Sequence, residues 1–383
     1  MDARDTSDRI AAAARRVREA LSDAADGLVE REVLVELVAL AAVAGEHLLV
    51  IGPPGTAKSE AARRAARAFE ARSFEYLLGR FTEPSELVGP VDLRRLREGV
   101  IETETSGMLP EAEIAFLDEV FLGSTAILNT LLSILHERTF RRGRTAMKVP
   151  LRVCVGASNA LPEDDALSAF ADRFLLRAFV EPVPDASLEA LLEHGDALAR
   201  RGETAVRTAS LAELDALSAA ARTVDLSGVR ETIADAVRLL RRAGIALSDR
   251  RIVKLQRLTA AAAALDGRAQ ATRRDLWPIV YALPTAEAQA LGRSTLSELL
   301  AESASGALGA AALAASNGPR ALADRLARDA ERALQASDDP PERRALRLMA
   351  LAREIDAAFS PEARTPELEA VRARLVAALA HEG

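Results

Sequence analysis

The sequence predicts an α/β fold, a parallel sheet flanked by helices and followed by a helical lid and a helical C-terminal region, on three observations. Leu48-Leu49-Val50-Ile51 runs straight into Gly52-Pro53-Pro54-Gly55-Thr56-Ala57-Lys58-Ser59. A buried strand that breaks into a glycine-bearing loop and then a helix is the layout that cradles phosphate on backbone N–H groups. Apolar runs of strand length recur at residues 74–78, 114–117 and 151–159, with helix-spaced segments between them. That alternation calls for parallel strands joined by crossover helices, with a ligand at the carboxyl ends of the strands. Beyond Pro182 and Pro184 the apolar spacing is helical almost throughout.

Each element has its own signal. Ile10, Ala14, Val17 and Leu21 stand at helical spacing in the charged, alanine-rich residues 1–27. A second pattern through Leu34, Leu37, Val38 and Ala41 is stopped by Gly45, just before the first strand. The helix after the loop covers residues 61–71, and residues 79–106, broken by Pro84, Gly89 and Pro90, read as irregular. A helix over 125–138 leads into a basic hairpin, Thr139-Phe140-Arg141-Arg142-Gly143-Arg144, in which Gly143 supplies the positive φ. Helix starts are signalled at Ser210 with Glu213, at Ser227, at Ser248, and at Thr272 with Asp275. A Ser/Ala/Gly-rich connector, loosely ordered or packed through its small residues, spans 303–318. Three helices follow, with stripes through Leu326 and Ala330, Leu351 and Ile355, and Leu368 and Leu375; Pro341 and Pro366 stand in the first turns of the last two. The division is residues 1–27, an N-terminal helix; 28–185, the sheet-bearing core; 186–290, the lid; and 291–383, the C-terminal helical region.

The chemistry starts at Lys58. Only three lysines occur, at 58, 148 and 254, among 50 basic residues. Lysine stands where the loop needs a flexible point charge to reach the β- and γ-phosphates, and the Ser59 hydroxyl suits Mg²⁺. The general loop signature has glycine where this chain has Ala57; a small residue there still lets N–H groups approach phosphate. Asp118 and Glu119 follow the apolar run 114–117. Beside a phosphate loop, Asp118 would hold Mg²⁺ and Glu119 would polarise an attacking water. Acids also stand there as ordinary helix N-terminal residues. Asn159 closes its strand and either orients water and γ-phosphate or caps the next helix.

These residues resemble the AAA+ ATPases, P-loop NTPases by fold, and the finer wording is similar to the MoxR family and its RavA-like branch. The phrases are Gly52 to Ser59 with alanine before lysine, Gly-Arg-Phe-Thr-Glu-Pro-Ser-Glu-Leu-Val-Gly at 79–89, Leu-Pro-Glu-Ala-Glu-Ile-Ala-Phe-Leu-Asp-Glu at 109–119, and Ala-Asp-Arg-Phe at 171–174. The likeness covers about residues 28–285. It implies an insertion at 90–106 and a hairpin at 139–150. It also implies that Asn159 is the sensor-1 residue, Arg173 an arginine finger acting on a neighbour's nucleotide, and Arg250 the sensor-2 arginine, with adjacent Arg251 open as the alternative. The cofactors it implies are ATP and Mg²⁺. The implied partners are further copies in a ring of six and a client protein, commonly one with a von Willebrand factor A domain.

The leading expectation is therefore a cytoplasmic, ring-forming ATPase that remodels or helps mature a partner protein, as bacterial relatives would. A nucleotide-gated scaffold with little turnover, a Rubisco-activating relative and a DNA-acting motor are the alternatives. The formal charge of −7 and the lack of a separate DNA-binding module count against nucleic acid. A single cysteine, Cys154 in an apolar run, excludes an internal disulfide and reads as a small buried residue. No run is long and apolar enough for a membrane helix, and no signal-peptide pattern is expected.

Overall fold

The computed structural model describes residues 3–193, 207–335, 341–361 and 364–382. Residues 194–206 of the expected lid lie outside the described residues.

Helix α1 (Ala3–Ala25) buries the predicted stripe, with Ala14, Val17 and Leu21 in the core. α2 (Glu32–Ala44) is apolar on nearly every face and buried accordingly, and Gly45 ends it in the left-handed region at φ 68°. β1 (Leu48–Ile51) and α3 (Lys58–Ala68) flank the glycine-bearing loop. β2 (Ser73–Leu77) follows. Residues 79–106 are more regular than their composition implies. Glu83 and Glu86 close a capping box on α4 (Pro84–Val88), and the Asp92 carboxylate caps α5 (Leu93–Arg97). β3 (Ile114–Asp118) comes next. α6 (Thr125–Leu132) does not run to residue 138; it gives way to a π turn, Ser133–Glu137, and Arg138 leaves it at φ 53°. β4 (Thr139–Arg142) and β5 (Thr145–Lys148) form the expected hairpin about Gly143 and Arg144. β6 (Val153–Ser158), α7 (Asp165–Ala171) and β7 (Leu176–Phe179) complete the core.

The main sheet has five parallel strands in the order β2-β3-β6-β1-β7. Its central strands read as continuous apolar runs because helices cover both faces. β1 is wholly buried between β6 and β7, so the loop leaving it emerges at the carboxyl edge of the sheet, one strand in from β7.

The lid is helical, with α8 (Leu211–Ala221), α9 (Arg230–Arg242), α10 (Asp249–Leu265), α11 (Pro278–Tyr281) and α12 (Ala286–Thr295), which runs past the expected boundary at 290; α13 (Ser297–Leu300) follows it. Ser210 with Glu213 and Thr272 with Asp275 form capping boxes, and Ser248 caps α10. Ser227 is not a cap; α9 starts past Val229, and Ser227 donates instead to the Asp225 carboxylate. The connector proves helical from Gly309 onward, in α14 (Gly309–Gln335), with Ala311, Ala312 and Ala315 buried. Small side chains permit close packing there rather than loose chain.

The chain divides into two compact units. One comprises residues 1–26, 31–181 and 205–315, so core and lid belong together; the other comprises 27–30, 182–204 and 316–383. In the second unit, the later part of α14 packs with α15 (Pro341–Ala358) and α16 (Pro366–Glu382). Leu326, Leu351, Ile355, Leu368 and Leu375 form its apolar centre, as the stripes predict.

Candidate functional site

A cavity of about 330 Å³ opens at the carboxyl ends of β1, β3 and β6, lined by Pro54 to Ser59, Asp118, Glu119 and Asn159. Gly52 allows the loop to leave its strand: a Cβ there would meet the Val180 carbonyl oxygen at 2.3 Å. Ala57, in the glycine position of the general signature, is held left-handed at φ 57° as the residue before α3. The Lys58 amine donates to the carbonyls of Gly52 (2.7 Å) and Pro53 (2.8 Å). Desolvation pulls its pKa below the ordinary lysine value, opposed by the charges of Asp118 and Glu119. Phosphate oxygens would compete with those two carbonyls for the amine.

Glu119 is also left-handed, at φ 49°, and its N–H donates to Asp118 Oδ1 at 3.0 Å. The Asn159 amide donates to Glu119 Oε1 at 2.6 Å. Asn159 thus contacts the acid rather than capping α7, whose cap is Asp164. Ser59 and Asp118 are hard oxygen donors of the kind Mg²⁺ takes. Among the described residues no group of three or more His, Cys, Asp or Glu could hold a metal. Two hard oxygen donors beside the loop fit a Mg²⁺, whose remaining ligands would have to come from elsewhere.

Arg31 was not singled out from the sequence. It is buried, and its guanidinium donates to the Thr56 carbonyl and to the Glu181 carbonyl, both at 2.8 Å. It braces the loop against the chain leaving β7. Lying between Glu30 and Glu32 in a charged stretch, it gave no signal beyond its charge.

Arg173 and Arg250 lie away from this cavity. They line a second one, of about 300 Å³, with Glu46, His136, Lys254 and Arg257. Arg250 Nη2 lies 3.1 Å from His136 Nδ1. The buried Glu46 carboxylate pairs with Lys254 and with Arg257 Nη1, the latter at 3.2 Å. Next to them His47, fully buried, accepts the Cys154 N–H on Nδ1 (3.0 Å) and so donates from Nε2 to the Leu135 carbonyl (2.9 Å); desolvation keeps it neutral. Arg251, the alternative to Arg250, points elsewhere, into the seam between core and lid.

Residues 15–219 match the family described as the MoxR domain in the MoxR-vWA-beta-propeller ternary systems, and residues 225–291 match an AAA lid domain. The chain is similar to two uncharacterized proteins of Methanocaldococcus jannaschii, 38% and 37% identical over 250 residues, or 65% of this chain. Those matches span 64% and 66% of the relatives' own lengths, just under two thirds. The fold is similar to that of a candidate ATPase solved from Cytophaga hutchinsonii, with a TM-score of 0.64 at 17% identity, covering 78% of this chain and 97% of that one. A glycine-bearing loop with an acidic strand end near it, the five-stranded parallel order and an attached helical lid agree with the family match over residues 15–219, which is more than half the sequence: the chain belongs to the MoxR family of AAA+ proteins.

Proposed function

We propose that this protein hydrolyses ATP with Mg²⁺ as one subunit of a ring, and that the ring remodels or matures a partner protein carrying a von Willebrand factor A domain. The observation that carries the reading is the convergence of Lys58, Ser59, Asp118, Glu119 and Asn159 on one cavity, with Arg173 and Arg250 in another. Backbone N–H groups from Gly55 to Ser59 and the Lys58 amine bind the phosphates. Ser59 and Asp118 would hold Mg²⁺, which would supply positive charge against the phosphates. Glu119 takes the proton of the attacking water, and Asn159, already bonded to that carboxylate, fixes its direction. Arg173 lies outside this cavity, which supports its acting on the nucleotide of an adjoining subunit, where a guanidinium stabilises charge on the transferring phosphoryl group; Arg250 is the sensor-2 arginine of the lid. A ring of six and the RavA-like branch are the forms the sequence phrases favour. The vWA partner is supported by the systems for which the matched family is named.

Phosphate release by the purified full-length protein tests the site. Glu119→Gln should keep ATP binding and lose at least about a hundredfold in kcat; hydrolysis at the wild-type rate would remove Glu119 from its role. Arg173→Ala should be similarly slow alone and regain hydrolysis when mixed with Lys58→Ala, whose own loop is dead but whose Arg173 is intact. Absence of that rescue would end the trans assignment.

A further inference from the structure

The turn that presents Arg173 is gripped from behind by a residue of the lid. Arg251, one position past Arg250 in α10, is 3% exposed. Its Nε donates to Asp172 Oδ1 at 2.6 Å and its Nη2 to the Phe174 carbonyl at 2.9 Å. Its Nη1 donates to the carbonyls of Leu175, at 3.0 Å, and Ala282, at 2.6 Å. Three of the four acceptors belong to residues 172, 174 and 175, which bracket Arg173 on both sides. Arg173 is left uncommitted, its Nε buried and without a hydrogen-bond partner in the described structure.

A guanidinium is a planar, rigid fork, so four bonds from one such group fix the carboxylate and carbonyls relative to one another and to the helix that carries it. Desolvating it is costly unless its donors are met, and here the donors are met almost entirely by the Arg173 turn. Successive helical residues point about 100° apart. Hence Arg250 faces the arginine-lined cavity while Arg251 faces the core.

We infer that Arg251 is a positioning residue for Arg173: it locks the turn carrying that guanidinium to α10, so that the direction in which Arg173 is presented follows the lid of its own subunit. The inference rests on the trans role proposed for Arg173 and adds the device that aims it.

The test uses the full-length chain and steady-state phosphate release. Arg251→Gln should lower kcat at least about tenfold with KM for ATP within about twofold, since its own phosphate loop is intact. Mixed with Lys58→Ala, which contributes an intact Arg173 and Arg251, it should regain hydrolysis above the sum of the separate rates, as Arg173→Ala does. Arg251→Lys, which keeps the charge and loses the fork, should fall between. Rescue of Arg173→Ala without rescue of Arg251→Gln overturns this inference and leaves the trans reading standing. Failure of both overturns the trans reading and this inference with it, and wild-type kcat in Arg251→Gln overturns the inference outright. If circular dichroism shows Arg251→Gln unfolded, Asp172→Ala, which removes one of the four bonds from a partly exposed side chain, replaces it in the same mixtures, and the outcomes carry the same meaning.

Discussion

Ala57 sits at φ 57°, where a Cβ crowds the following carbonyl at a cost of roughly 1–2 kcal/mol. The glycine of the general signature is therefore a backbone requirement as much as a matter of size, and this chain tolerates the strain at the mouth of its phosphate loop. Ala57→Gly should raise stability by up to about 1 kcal/mol, the relief of strain being partly offset by the freer unfolded chain. The midpoint of urea unfolding checks it, with ATP binding preserved. At this scale the loop residues, Asp118 and Glu119 stood out in the sequence, because strand ends and glycine loops leave local marks, and the structure places them around one cavity. The sequence did not carry Arg31, whose partners are carbonyls far along the chain, nor could it choose between Arg250 and Arg251. Adjacent arginines differ only in the face of α10 they occupy, and that becomes visible when Arg251 is found bonded at residues 172–175.

Among the elements, α2 is apolar enough to be buried almost whole, yet it carries Glu36. That carboxylate accepts the N–H groups of Ala310 (3.2 Å) and Ala311 (2.7 Å) at the start of α14. Desolvation dominates and raises its pKa from 4.5 to about 7, helped by the charge of Glu32 and opposed by the two N–H bonds. The folded chain then holds a proton that the unfolded chain has released between those two values, so Glu36 makes stability fall as pH rises from about 4.5 through 7, by on the order of 3 kcal/mol. Thermal unfolding followed from pH 5 to pH 8 should show this decline, and Glu36→Gln should flatten it. A variant with unchanged slope would assign the pH dependence to other groups. The elements that the sequence blurred have local causes. The apolar rhythm of α6 continues through Ile134 and Leu135 into the π turn, because one wide turn keeps both residues inside. Alanine and glycine at 306–315 look like linker composition, but Asp266 and Ser305 accept the N–H groups of residues 306–308, which lead into the helix.

For the whole molecule, the proposed division of one reaction between the Lys58 cavity and the Arg173 cavity makes turnover depend on association. Specific phosphate release per chain should rise with protein concentration through the range in which sedimentation shows assembly, and level off above it. A rate per chain that is the same for monomer and assembly would place the whole reaction within one subunit. The parallel sheet, the helical lid and the stripes of α15 and α16 were legible from periodicity, since each buries a stripe set by its own repeat; the order of the strands was not. The assignment of core and lid to one compact unit was not, because it depends on contacts such as those of Arg251 and Lys254 that no local pattern records.

β1 is four residues long, and the two cavities open at its opposite ends: Gly45 to His47 precede it and the phosphate loop follows it. Copies meeting through unlike ends of so short a strand join head to tail, an arrangement that either closes on itself or grows without limit. On the proposed reading, a copy blocked at one end remains able to dock by the other. Each such copy would act as a terminator, ending a row of subunits and leaving one junction, and so one site, incomplete.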